Sequence, residues 1–566
     1  MRSLFPRIHL YLVLVGLTLL VACIPIHNTI QGRVVDENGD PLAAALVRVK
    51  ATLLETATGE DGSFSLAGVP VYRECFVTAW LSGYYINGVD NVKPGYQDVE
   101  IILHAHHDTD NPDYMWMPST DLVPDAENSG ENQACSACHS RVGSQIDLDL
   151  PVDEWLLDAH SQSARNQRFV SMYNGTDLEG NQSPLTIYGY SQDYGRFPLP
   201  PDPHQAYFGP GYKLDFPETD GNCSACHTPA AAVDAAYGTD PTSVNGVAAE
   251  GMPCDFCHKV WNVNLDPASG LPHANTPGVL SYEFRRPPQG HQFFAGPLDD
   301  VAPGEDTYSS VQNESRYCAP CHFGVFWDTV VYNSFGEWLD SPYSEPETGK
   351  TCQDCHMPHV GATYFVRPEQ GGVERDPETI FSHRMPGAAD DSLLQNAVTL
   401  KVTARREDEL ILVEVNIIND LSGHHVPTDS PLRQMILLVK ASGANSEGLK
   451  LESGPTLPDW TGIGDPYRGY YAGLPGQAYA KILMELWTEV APSGAYWNPT
   501  RIVSDNRIPA QGSDTSQYVF RAPVKGNVRI EASLIFRRAF ITLSDQKGWD
   551  VPDILMESQT LELEFP

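Results

Sequence analysis

Positive charge is scarce in this chain. Its 566 residues hold 36 lysines and arginines against 73 acids, a formal charge of −37. A surface of that sign excludes a nucleic-acid partner and argues against unaided binding to anionic lipid headgroups. Long apolar runs are scarce too. Beyond the N-terminus no stretch is long and charge-free enough for a membrane helix. Cysteine is sparse, with twelve residues in all. Glycine and proline are the opposite, at 46 and 45, which predicts much loop and few long helices. The length is too great for one core, so two to four domains are expected.

The few cysteines are placed with a rule. Cys-x-x-Cys-His recurs at Cys135/Cys138/His139, Cys223/Cys226/His227, Cys254/Cys257/His258, Cys318/Cys321/His322 and Cys352/Cys355/His356. A disulfide framework has no need of a histidine after the second cysteine. Structural zinc tolerates one without requiring five, so zinc ribbons stay as the alternative. A thioredoxin-like redox pair comes once, near a βαβ pattern. Attachment of c-type haem requires this arrangement: two thiols add to the two vinyl groups, and the adjacent histidine reaches the iron as proximal ligand. The expectation is five covalently bound c haems. First cysteines are separated by 88, 31, 64 and 34 residues. No simple repeat is present, and the two short intervals suggest haems stacked in couples, second with third and fourth with fifth.

Five irons with two imidazoles each need five further histidines. His160 lies in "DEWLLDAHSQSARNQRF", where Leu156, His160 and Ala164 are spaced for one apolar helix face. His383, in "RDPETIFSHRMPGAAD", is a similar candidate. His424 and His425, in "DLSGHHVPTDSPLR", sit in a turn after a strand, from which one could reach the haem region. His273, His291, His204 and His359 complete the candidates. Met252 and Met357, beside haem motifs, could replace a histidine, although core packing is the ordinary reason for either. His104, His106 and His107 fall in an acidic, polar stretch that reads as a linker, where solvated side chains are expected.

The N-terminus, "MRSLFPRIHLYLVLVGLTLLVAC", has a basic start, a short apolar run and Leu20-Val21-Ala22-Cys23. It resembles a bacterial lipoprotein signal, cleaved before a lipidated Cys23. The other reading is an uncleaved anchor. Either puts the protein outside the cytoplasm, on a membrane, periplasmic or at the cell surface. Loss of residues 1–22 removes Arg2 and Arg7 and takes the charge from −37 to −39. Ile24, which is not aspartate, favours the outer membrane of a host that has one.

Residues 29–104 read as short strands broken by "ENGDP" and "GEDGS". "GRVVDENGDPLAAALVRV…TGEDGSFSLAGVP" resembles the carboxypeptidase regulatory-like domain, usually a structural or binding appendage. Cys75 reads as a buried free thiol. The expected division is signal peptide 1–22, lipid-anchored tether 23–28, β-sandwich 29–104, linker 105–133, pentahaem domain 134–394 and β-rich domain 395–566. The expected fold is a mostly loop and α-helix haem-packed core, flanked by N-terminal and C-terminal antiparallel β-sandwiches.

"GMPCDFCHKV", "TCQDCHMP", "RDPETIFSHR" and "GHHVPTD" resemble the multihaem cytochrome c family, in particular relatives of cytochrome c554 and of nitrite and hydroxylamine oxidoreductases. The resemblance covers roughly residues 130–560. It implies electron relay between partner proteins, with catalysis at one special haem in some members. The Cys-x-x-Cys-Lys motif of pentahaem nitrite reductases is not here, and hydroxylamine oxidoreductases carry about eight haems. The expectation is therefore a lipid-anchored electron conduit between a membrane redox partner and a soluble or extracellular acceptor, with no catalytic residue assigned. Two alternatives stay open. One is a redox enzyme with one open iron position for nitrogen or sulfur oxyanions, with Arg316 or Tyr317 nearby. The other is a homo-oligomeric, filament-forming cytochrome.

Overall fold

The computed structural model describes residues 28–70, 73–120, 134–193, 195–444 and 446–564. Cys23, the signal segment 1–22 and residues 121–133 of the expected linker lie outside the described residues. Among the described residues no helix is long and apolar enough to cross a membrane.

The chain divides into two compact units. The first spans residues up to 111 and adds 285–309 and 374–376. Its strands are β1 (Ile30–Asp36), β2 (Leu46–Val49), β3 (Glu55–Ala57), β4 (Ser63–Leu66), β5 (Cys75–Trp80), β6 (Asn87–Val92) and β7 (Val99–Leu103). They form two sheets, ordered β4-β1-β7 and β3-β2-β5-β6. Alternation sends Ile30, Val34, Val47, Phe64, Val77 and Ile101 into the core between them, each side chain contributing about 1.5–3 kcal/mol on full burial. The first sheet is not purely antiparallel, because β1 pairs with β7 in parallel. That pair needs Gly32, since a Cβ there would lie 2.0 Å from the Val99 carbonyl oxygen.

Segment 285–309 is fixed to this sandwich by charge. Asp300 bonds Arg375 at 2.8 Å, with both side chains 3% exposed, and accepts from the Ala51 amide at 2.7 Å. Asp299 pairs with Arg48 at 2.9 Å. Cys75 is half-buried at the start of β5, with its thiol 3.5 Å from the Val92 carbonyl. His106 and His107 are not solvated. Both rings pack edge-on to the buried Phe293, at 5.3 and 5.4 Å, and burial lowers both pKa values. His104 stays largely exposed, 3.8 Å from Glu37.

The second unit holds 112–284, 310–373 and 377 onward. Its C-terminal part is a sandwich of two four-stranded antiparallel sheets. One contains Thr399–Glu407, Leu410–Ile418 and Ser513–Arg521; the other contains Gln434–Gly443, Val528–Arg537 and Ile554–Leu563. Their inward residues, among them Val413, Val415, Leu437, Phe520 and Leu534, form one core.

The expected helix-rich centre is corrected by the structure. Among the described residues strand makes up 28% and helix 17%. Among the described residues the longest α-helix, Gln167–Asn174, has eight residues. The part of the second unit that precedes its sandwich in sequence consists of single helical turns, 3-10 turns and two-stranded pairs such as Val260–Val263 with Tyr282–Phe284. Proline or glycine stops some of these helices: Thr228-Pro229 follows the second motif, and Gly175 takes φ 74° after Asn174.

Candidate functional site

Each Cys-x-x-Cys-His is one helical turn. The histidine amide bonds the first cysteine carbonyl at 2.9 Å in the first motif, 3.0 Å in the second and 3.2 Å in the fourth. An i to i+4 closure puts both cysteines and the histidine on one face. The opposite face is packed: Ser224, Ala225, Asp255, Phe256, Ala319 and Gln353 are buried, while every motif cysteine is half-buried. Two thiols and one imidazole therefore point together from each motif.

Their histidines are set in one tautomer by backbone carbonyls. Nδ1 of His139 meets the Phe365 carbonyl at 2.7 Å, and that of His356 meets Pro386 at 2.7 Å. His227 Nδ1 lies 3.3 Å from the Ser163 carbonyl. An Nδ1–H given to a carbonyl leaves Nε2 as the lone-pair nitrogen, the form that binds a metal. Burial lowers His227 and His356 to about 4. His322 differs. Burial opposes its charge, but Asp429, at 3.7 Å from Nδ1, outweighs this and raises it to about 9.

Hydrogen bonds join the motifs. Ser119 accepts at its carbonyl from the Ser136 amide and at its hydroxyl from the Cys254 amide, tying first to third. Gly278, at φ +53°, donates to the Pro320 carbonyl, and a Cβ there would lie 2.1 Å from the Ala225 carbonyl, so it seats second against fourth. Ser315 Oγ accepts from the Cys352 amide at 2.9 Å, tying fourth to fifth, and Tyr317 donates to the Cys257 carbonyl at 3.0 Å. The thiols follow: Cys135 lies by Cys254, Cys226 by Cys321 and Cys318 by Cys352, all six free and each pair close enough for one thiol to act on the other. The short interval between fourth and fifth motifs thus does bring their thiols together. The one between second and third does not, because folded loops rather than sequence distance choose the neighbours.

Of the distal candidates, two stand against motif histidines. The rings of His160 and His322 are 6.3 Å apart at 72°, and those of His424 and His356 are 6.2 Å apart at 17°. His160 lies outside regular helix, and its Nδ1 is held at 2.6 Å by the buried Asp158. His424 Nδ1 meets the His425 carbonyl at 2.9 Å. His383 is lowered to about 4 by burial, then by the neighbouring charges of His258 and His139. Its backbone amide donates to Glu154 at 2.7 Å. His425 turns instead to a network in which Glu337 is 3.6 Å away and also pairs with Arg507 at 2.7 Å. His204 and His273 lie in exposed turns, and His291, in the N-terminal unit, faces Glu305 at 2.8 Å. His359 packs on Phe381 at 4.6 Å. The Met252 carbonyl accepts from Trp155, and Met357 caps the fifth motif helix. Arg316 is engaged by Glu314 and Asn262.

Sequence reasoning missed Asp158, two residues before His160, Asp429, and Phe169, whose ring stacks on His227 at 3.7 Å. The Asp-x-His spacing was a legible signal; the other two are tertiary contacts. Among the described residues no group of three or more His, Cys, Asp or Glu converges to hold a bare metal ion, as a zinc ribbon requires. The donors do fit a c-type haem: a paired thiol face with its own histidine, five times over.

Comparison with known proteins divides along the same line. Residues 29–101 match the carboxypeptidase regulatory-like domain, so the N-terminal sandwich carries a domain of that family. The larger part has the fold of a penta-heme cytochrome c552 from Thermochromatium tepidum, with a TM-score of 0.50, 17% identity, and coverage of 76% of this chain and 97% of that one. At that identity the likeness concerns fold alone. A cohesin–X-dockerin complex from Acetivibrio cellulolyticus also matches, over 14% of this chain at a TM-score of 0.13, too low to inform the fold. No curated protein matches the sequence.

Proposed function

We propose that this protein is a pentahaem c-type cytochrome that relays electrons between redox partners. The observation that carries the reading is the fivefold repetition of one face bearing two thiols and one imidazole. Haem, once bound, would supply one-electron chemistry. The chain's residues do the rest. Cys135, Cys138, Cys223, Cys226, Cys254, Cys257, Cys318, Cys321, Cys352 and Cys355 tether. His139, His227, His258, His322 and His356 ligate on the proximal side.

The distal side of two sites is assigned by distance. With a metal–nitrogen bond of about 2 Å and the ring centre about 1.1 Å behind the nitrogen, two imidazoles on one iron stand roughly 6 Å apart. The 6.3 Å between His160 and His322 and the 6.2 Å between His424 and His356 fit this spacing. Asp158 then orients His160 as a carboxylate behind a ligand. His383 is proposed for the third site, beside His258. Contacts between first and third, third and fourth, second and fourth, and fourth and fifth motifs support a relay branched at the fourth rather than one in sequence order.

A second reading, a redox enzyme with one open iron position, draws support from the second motif. Tyr173, Tyr212, Tyr332 and Tyr496 all feel the Cys223 thiol, a polar aromatic lining. Anchoring through Cys23, residence outside the cytoplasm and docking to partner proteins belong to the same proposal and rest on the N-terminal sequence and the acidic charge. Intact mass and spin state test it together. Protein matured where c haem is attached should gain five tetrapyrroles and be largely low-spin. Bare thiols would end the proposal, and one high-spin haem that binds carbon monoxide would move it to the second reading.

A further inference from the structure

Acids outnumber bases two to one in this chain, so three bases gathered with too few ion-paired acids to match them need a reason. Arg168, Arg433 and Arg538 are such a group. Arg168 opens the helix Gln167–Asn174. Arg433 immediately precedes the strand Gln434–Gly443, and Arg538 immediately follows Val528–Arg537. Gln434 pairs with Arg537 across these neighbouring antiparallel strands, so Arg433 and Arg538 leave the same end of the sheet side by side. Arg168 and Arg538 line one open cleft of about 280 Å³ with Asn166, Trp549 and Asp550.

The three charges act on one another. Burial, then Arg538 and Arg433, lower Arg168 to about 10; burial, then Arg433, lower Arg538. Arg538 Nε is buried with no hydrogen-bond partner. The acids nearby do not neutralise the group. Asp429 is 3.8 Å from Arg433 but also serves His322, Asp391 attracts Arg538 without an ion pair, and Asp550 is exposed on the cleft wall. Clustered guanidinium forks in a cleft focus positive potential and match planar oxygen pairs.

We propose that Arg168, Arg433 and Arg538 form a binding site for a carboxylate or small oxyanion. Phe169, next to Arg168, stacks on His227, so the site lies beside the second motif. Two sources share this chemistry: a propionate of a haem held there, or a free oxyanion such as sulfite. Only the first depends on the cytochrome reading.

The test is calorimetric titration of the mature protein with sulfite at low ionic strength. Wild type, Arg538→Lys, Arg538→Gln and the double variant Arg168→Gln/Arg538→Gln are compared, with circular dichroism as the folding control and redox titration alongside. A free-anion site gives saturable binding, weakened at least about tenfold in Arg538→Gln, less in Arg538→Lys, and lost in the double variant. A propionate site binds no sulfite, but the double variant lowers one haem potential with haem mass unchanged, because lost positive charge favours the oxidised iron. No binding, together with potentials that overlay wild type, overturns the proposal. Protein without haem by mass defeats the cytochrome reading alone, and sulfite binding then still decides this site.

Discussion

The two ends of the first half of the chain solve stability differently. The sandwich of residues 29–104 fills its interior with its own Ile, Val, Leu and Phe side chains. The motif-bearing segments that follow gather a small cluster around Ala225, Ala232, Phe256 and Val260, while burying Asp255, Lys259, Glu250 and Asp158 among them. One region needs only its sequence pattern to collapse. The other places its few cysteines and many polar groups on faces that, in the proposed reading, receive haem, and its stability is then expected to depend on that cofactor.

The contrast can be broken most directly by producing the chain without haem attachment. Limited proteolysis should then leave the N-terminal sandwich intact and degrade the motif region; equal resistance of both would sink the distinction. Next in size, Asp300→Ala should leave Arg375 buried without its counter-ion and cost the N-terminal unit about 3–5 kcal/mol, read from its denaturant midpoint. His160→Ala should turn one haem from low to high spin in electron paramagnetic resonance without changing haem mass, and Asp158→Asn should raise that haem's potential by weakening the carboxylate behind the ligand. The smallest effect concerns Lys547, buried and donating to the carbonyls of Ser171, Thr176 and Pro210. Burial lowers it to about 7. Between there and about 10 the unfolded chain holds a proton the folded chain has released, so stability should rise with pH across that window. Lys547→Met should flatten that rise in pH-dependent melting.

Several elements could be read directly. "ALVRVK" and "DVEIIL" alternate and are strands, as are "LILVEVNII" and "NVRIEASLIFR". The helical centre could not. His160 shows a helical spacing with Leu156 and Ala164, yet the helix from Pro151 ends at Leu156 and the histidine is held by Asp158 in a turn. Local hydrogen bonding by an aspartate competes with helix, and periodicity over three residues does not register it. Nor does spacing reveal that segment 285–309 packs with residues from the N-terminal sandwich.

What the sequence determined alone is local: five closures of one turn, each bringing cysteine, cysteine and histidine to one face, because i, i+3 and i+4 share a side of any helical turn. What only the tertiary structure decided is who faces whom. His160 meets His322, His424 meets His356, and three arginines from distant strands and a helix converge. Those meetings depend on loop paths set by many weak contacts across hundreds of residues, and no local pattern encodes them.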